Sequence, residues 1–553
     1  MSSSPAHGDG VSRRTFLRGG AAAVAGSALL PGLAACGKGP AAQVSSAKQV
    51  KLPTYQPFNG PAPDIAGSAN GVPPVYYSYP ASPVRSVASP PLAGETISAV
   101  TNLYFPPPPG VGSNPAWAEI QKRLGATVNI NMVDATDYPT KFATLVASGN
   151  LPDIMLYLQG SINDFDAFLQ TQIADLTPYL GGDAITKYPN LAAIPEVFWT
   201  QCTAAGKLYF LPIPRNVTAG AGFYNQTAFA KVGATDSQSI RDLNDFTTLC
   251  KELTRPGSGK YALSAYNGYL TAPVTMAYRV PFNWEVQGGK LVKDYETEQF
   301  TEAVAYSAKL YKAGVFMPGS VGWASASQGD DALAAGKVAY TFDGFPAYPK
   351  IWTNVQQTSP GTTVLPFVPF GATGGKGIVY QDNVMYGNGV MLKKQSPDKI
   401  RAALELANFL AAPFGTEEYL LIYYGVEGKD YTMKNGSPVL TSKGNLDITV
   451  PWKYIEAPEL VLFADPATGG KPYVNAAHQA LSTLIPMAVP DPTITYFSPT
   501  SANSWLTLYT NMQNATNQII SGRQPVSSLK TAIKQWRQQG GDKMRAEFEK
   551  AMA

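Results

Sequence analysis

From residue 96 onward the apolar positions fall into short alternating units. "TISAVTNLYF" is rich in apolar and β-branched residues and predicts a strand. Residues 115–124 put Trp117, Ile120 and Leu124 on one helical face, and "ATVNINMV" alternates at period two. Residues 138–148 return to a helical pattern, and "LPDIMLY", residues 151–157, reads as a short buried strand. Strand, helix, strand, helix, strand in succession predicts an α/β fold with a parallel sheet. No internal repeat is visible.

Upstream of this region the pattern disappears. Residues 37–95 hold eleven prolines among 59 residues and few charges, which excludes a regular helix or a central strand and predicts a tether. Tyr76, Tyr77 and Tyr79 are too aromatic for a pure spacer, so the second half of the tether is expected to lie against the folded body. Before the tether stands "SRRTFLRGGAAAVAGSALLPGLAACGKG". Arg13, Arg14 and Arg18 make a positive n-region, and the apolar run that follows is too short and too weakly apolar for a spanning helix, which needs roughly 20 residues. Ser12 to Leu17 resembles a twin-arginine (Tat) export signal, and Leu33-Ala34-Ala35-Cys36 is similar to the lipobox of bacterial lipoproteins. Residues 1–35 are therefore expected to be a signal peptide, with Cys36 as the lipidated first residue of a 36–95 tether.

Composition narrows the chemistry. The 553 residues are 45% hydrophobic, 15% charged and 11% aromatic, enough for more than one domain and a large core. Of the formal charge of +3, three arginines and one aspartate in residues 1–35 account for two, leaving +1 from Cys36 on. That is no footprint for nucleic acid. Only Cys202 and Cys250 remain beside Cys36; an oxidising exterior would allow them to pair, and their separation leaves the geometry undecided. Two histidines, His7 and His478, argue against a His-based metal site or a Ser-His triad, so neither metal nor cofactor is expected.

Several segments, in order, resemble the extracellular solute-binding proteins of ABC sugar importers (family 1 type), in particular the LipO-like lipoproteins of Gram-positive bacteria. They are "LVASGNLPDIMLY", "IADLTPYL", "AAGKLYFLPIP", "GFYNQTAFAKVGA", "DLNDFTTLCKELT", "AAGKVAYTFDGFPAY" and "ANFLAAPFGTEEYLLIYYGVEGKDY", and with their flanks they span about residues 96–550. The resemblance implies a two-lobed periplasmic-binding-protein-like fold, each lobe a sheet flanked by helices, with hinge crossings between the lobes. It implies lobe 1 from 96–218 with a return at 344–395, lobe 2 from 219–343 with C-terminal helices in 396–553, and hinges near 217–222 and 342–345. Two features depart from the family pattern: Gln226-Thr227 replaces the usual Lys-Asp after Tyr224-Asn225, and the loop "FPPPPG" is unusually stiff.

A sugar presents hydroxyls around apolar C–H faces, so its cleft needs flat aromatic platforms with charged or amide groups between them. Eight Trp, thirty Tyr and twenty-three Phe are mostly core, and position must choose among them. Tyr157 ends the Pro-Asp strand at the carboxyl edge of the sheet, where parallel α/β sheets place ligands; a core role is the alternative. Arg215, in "PIPRNVTAG", either binds hydroxyls or bridges across the hinge. The resemblance nominates Tyr266 and Tyr269 in "SAYNGYLTAPV" as aromatics flanking the sugar. Trp284 and Trp323 lie in loop-like contexts, with lobe packing as the alternative. Asp343 and Phe345 sit at the expected second crossing, where Gly344 would allow the backbone to bend. Asp382, Asn383 and Glu427 are weaker candidates that could equally be turn residues.

The function these expectations imply is that of a non-catalytic receptor, monomeric and lipid-anchored on the extracellular face, delivering a neutral sugar or oligosaccharide to the permease subunits of an ABC transporter. The alternatives are a surface adhesion or scaffolding lipoprotein and a secreted glycosidase. The latter would need paired carboxylates roughly 5 to 9.5 Å apart, for which Asp330, Asp331 and Asp343 are the conceivable candidates.

Overall fold

The computed structural model describes residues 50–552, apart from 69, 105, 159–161, 163–164, 219, 267, 324, 382–388, 495 and 497. Cys36, the export signal, Asp382 and Asn383 lie outside the described residues.

The alternating units form as their patterns predict. Strand β1 (Thr96–Leu103) leads to helix α1 (Pro115–Leu124), β2 (Thr127–Asp134), α2 (Tyr138–Ser148) and β3 (Ile154–Leu156). Helix α1 is fixed at both ends. Asn114 accepts the Trp117 N–H at 2.9 Å, and Gly125 closes the helix in the left-handed region with φ of 69°. Its Ile120 and Leu124 are buried in the first-lobe core. Asp153, just ahead of β3, accepts from the N–H and hydroxyl of Ser98 at 2.8 and 2.7 Å, tying β3 to β1. Two antiparallel strands from later in the chain, β4 (Phe210–Leu211) and β9 (Val390–Leu392), complete a five-stranded sheet in the order β2-β1-β3-β9-β4.

A second sheet is built from β5 (Ala221–Asn225), β6 (Tyr261–Leu263), β7 (Val338–Asp343) and β8 (Val364–Phe367), in the order β8-β5-β7-β6. Successive residues of β5 serve its two faces: Phe223 belongs to a core with Phe345, Tyr348 and Leu481, and Tyr224 to one with Phe246, Phe367 and Met512. Each sheet thus has its own core, and the chain is two-lobed. The helix at Ser327–Ala334, here α3, and α4 (Tyr348–Thr358) cover the second sheet. Helices α5 (Pro397–Leu410) and α6 (Glu417–Tyr424) bury Leu404, Phe409 and Leu421 in the first lobe. Helices α7 (Gly470–Leu484) and α8 (Pro499–Ile520) supply Val474, Leu481, Leu508 and Met512 to the cores of the second.

Sheet membership differs from the expected division in two places. The chain does not leave the second sheet at 342–345, because β8 pairs antiparallel with β5 through Phe367↔Gly222 and Val364↔Asn225. Gly344 has φ of −58°, which any residue adopts, so no hinge freedom is drawn from it. Two crossings start after Leu211 and after Phe367 and touch each other at a Thr218↔Gln381 bridge, and a third joins Ala457 of the first-lobe core to Leu462 of the second. The second departure is that α5 and α6, expected in the second lobe, pack in the first. The Pro-rich segment also differs from a tether: residues 50–94 lie on the body through backbone bridges such as Pro53↔Gly182 and Val84↔Thr416. Cys202 and Cys250 form no disulfide: they are buried in the cores of different lobes, and burial pushes both thiols up.

Candidate functional site

A cavity of about 410 Å³ is lined from both lobes. On the first-lobe side Tyr157, directly after β3, stacks on Phe165 with centroids 4.7 Å apart and 14° between planes, and on Phe210 at 6.1 Å and 23°. Three rings are therefore held nearly parallel, an arrangement that the aromatic quadrupole favours when the rings are offset. Helix α8 contributes Trp505 and Tyr509 to the same cavity, one turn apart and stacked at 5.2 Å and 12°, with Trp505 38% exposed.

The polar groups between these walls are pre-set. Lys293 is 5% exposed; its ammonium donates to the Asn283 carbonyl at 3.0 Å, pairs with Asp294 at 2.8 Å and lies 4.5 Å from the Tyr295 ring centroid. Asp491 accepts from Asn283 Nδ2 at 3.0 Å and from the Thr493 N–H and hydroxyl at 2.8 and 2.7 Å. Burial pushes both Asp294 and Asp491 up, more than their partners pull them down. The buried Gln201 Oε1 accepts no hydrogen bond from the described residues, which leaves an acceptor in the wall.

A second group crosses between the lobes nearby. Tyr104, at the end of β1, meets Tyr454 edge-on at 6.0 Å and reaches Tyr266 of the second lobe electrostatically. Burial pushes Tyr454 up to about 12, with Tyr104 adding to this and Arg215 opposing it. The Lys453 ammonium lies 5.3 Å from the Tyr454 ring centroid, and burial and Arg215 push it down. Tyr266 is raised by burial and by Asp343, and Tyr509, raised chiefly by burial and next by Tyr266, links this group to the aromatic cavity.

The sequence-nominated residues therefore separate. Tyr157 and Trp284 line the cavity; Trp284 is 3% exposed, held between Trp536, Phe548 and Lys293. Arg215, Tyr266 and Asp343 belong to the second group. Tyr269 packs on Tyr311 and Phe316 at 4.7 and 5.5 Å, and Trp323 lies partly buried against the core around Tyr348. Phe345 is enclosed by Phe223 and Tyr348 in the second lobe's core and does not line the cavity. Glu427 is exposed. Reading the sequence did not find Phe165, Phe210, Gln201, Trp505 or Tyr509. A signal existed for the last two: in "SANSWLTLYTNMQN" they are aromatics four apart among polar residues, which is one exposed helical face.

Residues 116–426, more than half of the chain, match the profile of the bacterial extracellular solute-binding proteins, and the chain belongs to that family. It is a binding protein and not an enzyme, so the glycosidase alternative falls. Lipoprotein LipO of Bacillus subtilis is 21% identical over 360 residues, which cover 64% of this chain and 70% of LipO. The polygalacturonan/rhamnogalacturonan-binding protein YtcQ of the same organism is 22% identical over 468 residues, 82% of this chain and 91% of YtcQ. Among solved structures, an HMO-binding ABC-transporter-associated solute-binding protein from Bifidobacterium longum infantis superposes with a TM-score of 0.61 at 14% identity, covering 83% of this chain and 99% of that one. The alginate-binding protein AlgQ2 gives 0.59 at 15%, covering 84% and 99%. These likenesses show the shared two-lobed fold.

Proposed function

We propose that this protein is the receptor of an ABC importer: it captures a neutral saccharide of more than one ring between its lobes and delivers it to the permease. The observation that carries the reading is an aromatic-rich cavity lined from both lobes, with the buried Tyr157–Phe165–Phe210 stack in its first-lobe lining and the more exposed Trp505, stacked on Tyr509, contributed by α8. Aromatic faces cover the C–H surfaces of pyranose rings, and the amide, hydroxyl and carboxylate groups between them match ring hydroxyls. Two separate aromatic walls exceed what one ring covers. A net charge of +1 from Cys36 on, and ionic groups that already pair with one another at the cavity, favour a neutral ligand. Relatives whose names record alginate, HMO and pectic polymers as ligands support the carbohydrate class. The same reading makes the protein a monomer, exported by the Tat route and held outside the cell membrane by lipid on Cys36.

Thermal-shift screening of the protein from residue 36, with Cys36→Ser to prevent lipidation, tests it against neutral mono- and oligosaccharides and oligogalacturonides. A neutral oligosaccharide is expected to raise Tm. In calorimetry Trp505→Ala should weaken its binding by about 1 to 3 kcal/mol, the scale of an aromatic surface lost from contact. Stabilisation by oligogalacturonides alone overturns the neutral assignment, and wild-type affinity in Trp505→Ala moves the site elsewhere.

A further inference from the structure

The Pro-rich segment weaves between the lobes. It begins on the first lobe, where the Gly182 N–H donates to the Leu52 carbonyl at 2.9 Å and the Gln56 N–H donates to the Ala192 carbonyl at 2.8 Å. Its middle enters the second lobe: Val72 and Val75, 6% and 0% exposed, join the core formed by Phe223, Tyr348 and Leu481. Val75 and Tyr76 pair in parallel with Leu462 and Phe463, whose strand leads into α7. On α7 the Asn475 side chain accepts from the Tyr77 hydroxyl at 2.8 Å, and the Lys471 ammonium lies 4.4 Å from the Tyr77 ring centroid. Two residues later the chain is back on the first lobe. The Tyr79 hydroxyl donates to the Thr416 carbonyl at 2.6 Å, and the Val84 N–H donates to the Gly415 carbonyl at 3.2 Å.

From this path we infer that residues 52–92 are a strap across the hinge that limits how far the lobes open. Two chain steps separate the anchor at Tyr77 from the one at Tyr79, and two extended residues reach no more than about 7 Å. The lobes can rotate about that point; they cannot part there without tearing out one of the two tyrosines. Ten prolines between residues 52 and 92 fix φ along much of the strap, so it has little slack to extend. It also touches the hinge itself. Gly71 turns in the left-handed region with φ of 95°, and a Cβ there would lie 2.5 Å from Val217 Cγ2 in the first crossing. A cavity of about 620 Å³ between strap residues Ser68, Asn70 and Gly71 and Arg215, Val217 and Gln381 of the crossings leaves those crossings room to bend.

Spin labels at Lys122→Cys on α1 and Lys251→Cys on the second lobe, both exposed sites, measure the lobe separation by double electron–electron resonance without any ligand. With Cys36→Ser, the two remaining native thiols, Cys202 and Cys250, are buried at 0% and 1% exposure and stay unlabelled. Val75→Ala with Tyr77→Ala should release the strap and broaden the distance distribution toward longer separations, beyond the wild-type width. Hydrogen exchange supplies the control: the Leu462 and Ala464 amides, which donate to Pro74 and Tyr76 carbonyls at 2.9 and 2.8 Å, must exchange faster in the variant. Faster exchange with an unchanged distance distribution overturns the inference. Should the double variant fail to fold, Gly71→Ala drives a methyl into Val217 and should shift the same distribution; no shift there overturns it equally.

Discussion

Asp330 sits in the first turn of α3 at 2% exposure, facing the charge of Asp343 at the end of β7, and its buried Oδ1 accepts no hydrogen bond from the described residues. Burial first, and then the Asp343 charge, push Asp330 up to about 8; Lys350 opposes this and Asp331 adds to it. The folded value lies above the unfolded one of about 3.9, so the folded protein binds the extra proton between the two. The contribution to stability is complete below about pH 4 and is lost progressively as pH rises to about 8. Asp330→Asn removes the titration. Its Tm should therefore fall less than that of wild type between pH 5 and pH 9, on the order of that window. Glu456, Asp294 and Asp491 are also pushed up by burial, but both proteins share them and the difference cancels them. Parallel Tm curves for the two proteins would show that the pair is already ionised.

At the scale of elements, one buried carboxylate fixes the C-terminal part of the strap to the first lobe. Glu418, on α6 and 0% exposed, accepts from the Ser86 N–H and hydroxyl, each at 2.9 Å, and from the Val87 N–H at 3.3 Å. Removing it orphans donors that were satisfied in the interior. Glu418→Ala should cost about 2 to 4 kcal/mol in urea denaturation, and Glu418→Gln less, since the amide oxygen still accepts. A loss below about 0.5 kcal/mol in the alanine variant would mean that water replaces the carboxylate. Nothing in the sequence marks this role, because Ser86 and Glu418 are 332 positions apart. The β1 to β3 region was legible for the opposite reason: period, the Asn114 cap and the Gly125 and Gly149 helix ends are all local signals. Strand β8 was not. Pro366 inside "VLPF" argues against a central strand, and it is accepted because β8 is the sheet edge. The candidate site divides in the same way. Tyr157 follows from its strand end, whereas Phe210 and Trp505 reach the cavity only through long-range packing. Gly344 invited a hinge, yet its backbone is ordinary and Phe345 turns inward beside Tyr348.

For the whole molecule, the binding energy available from the cavity depends on both lobes reaching the ligand at once. Tyr157 and Phe165 come from the first lobe, Trp284 and Tyr295 from the second, and the lobes are joined through crossings that touch at Thr218↔Gln381. A saccharide contacting both walls is held better when they are close, and it shifts the open–closed balance by that difference in affinity alone. The strap and the ligand act on opposite sides of this balance: the strap bounds the open end, and the ligand selects the closed one. Small-angle scattering on wild type should therefore show a smaller radius of gyration at saturating concentrations of the oligosaccharide found by screening. Trp505→Ala, loaded to the same occupancy, should show a smaller change, because the lost aromatic face removes part of the preference for closure. An unchanged radius of gyration in saturated wild type would mean a preformed cavity, with binding energy that does no work on the hinge.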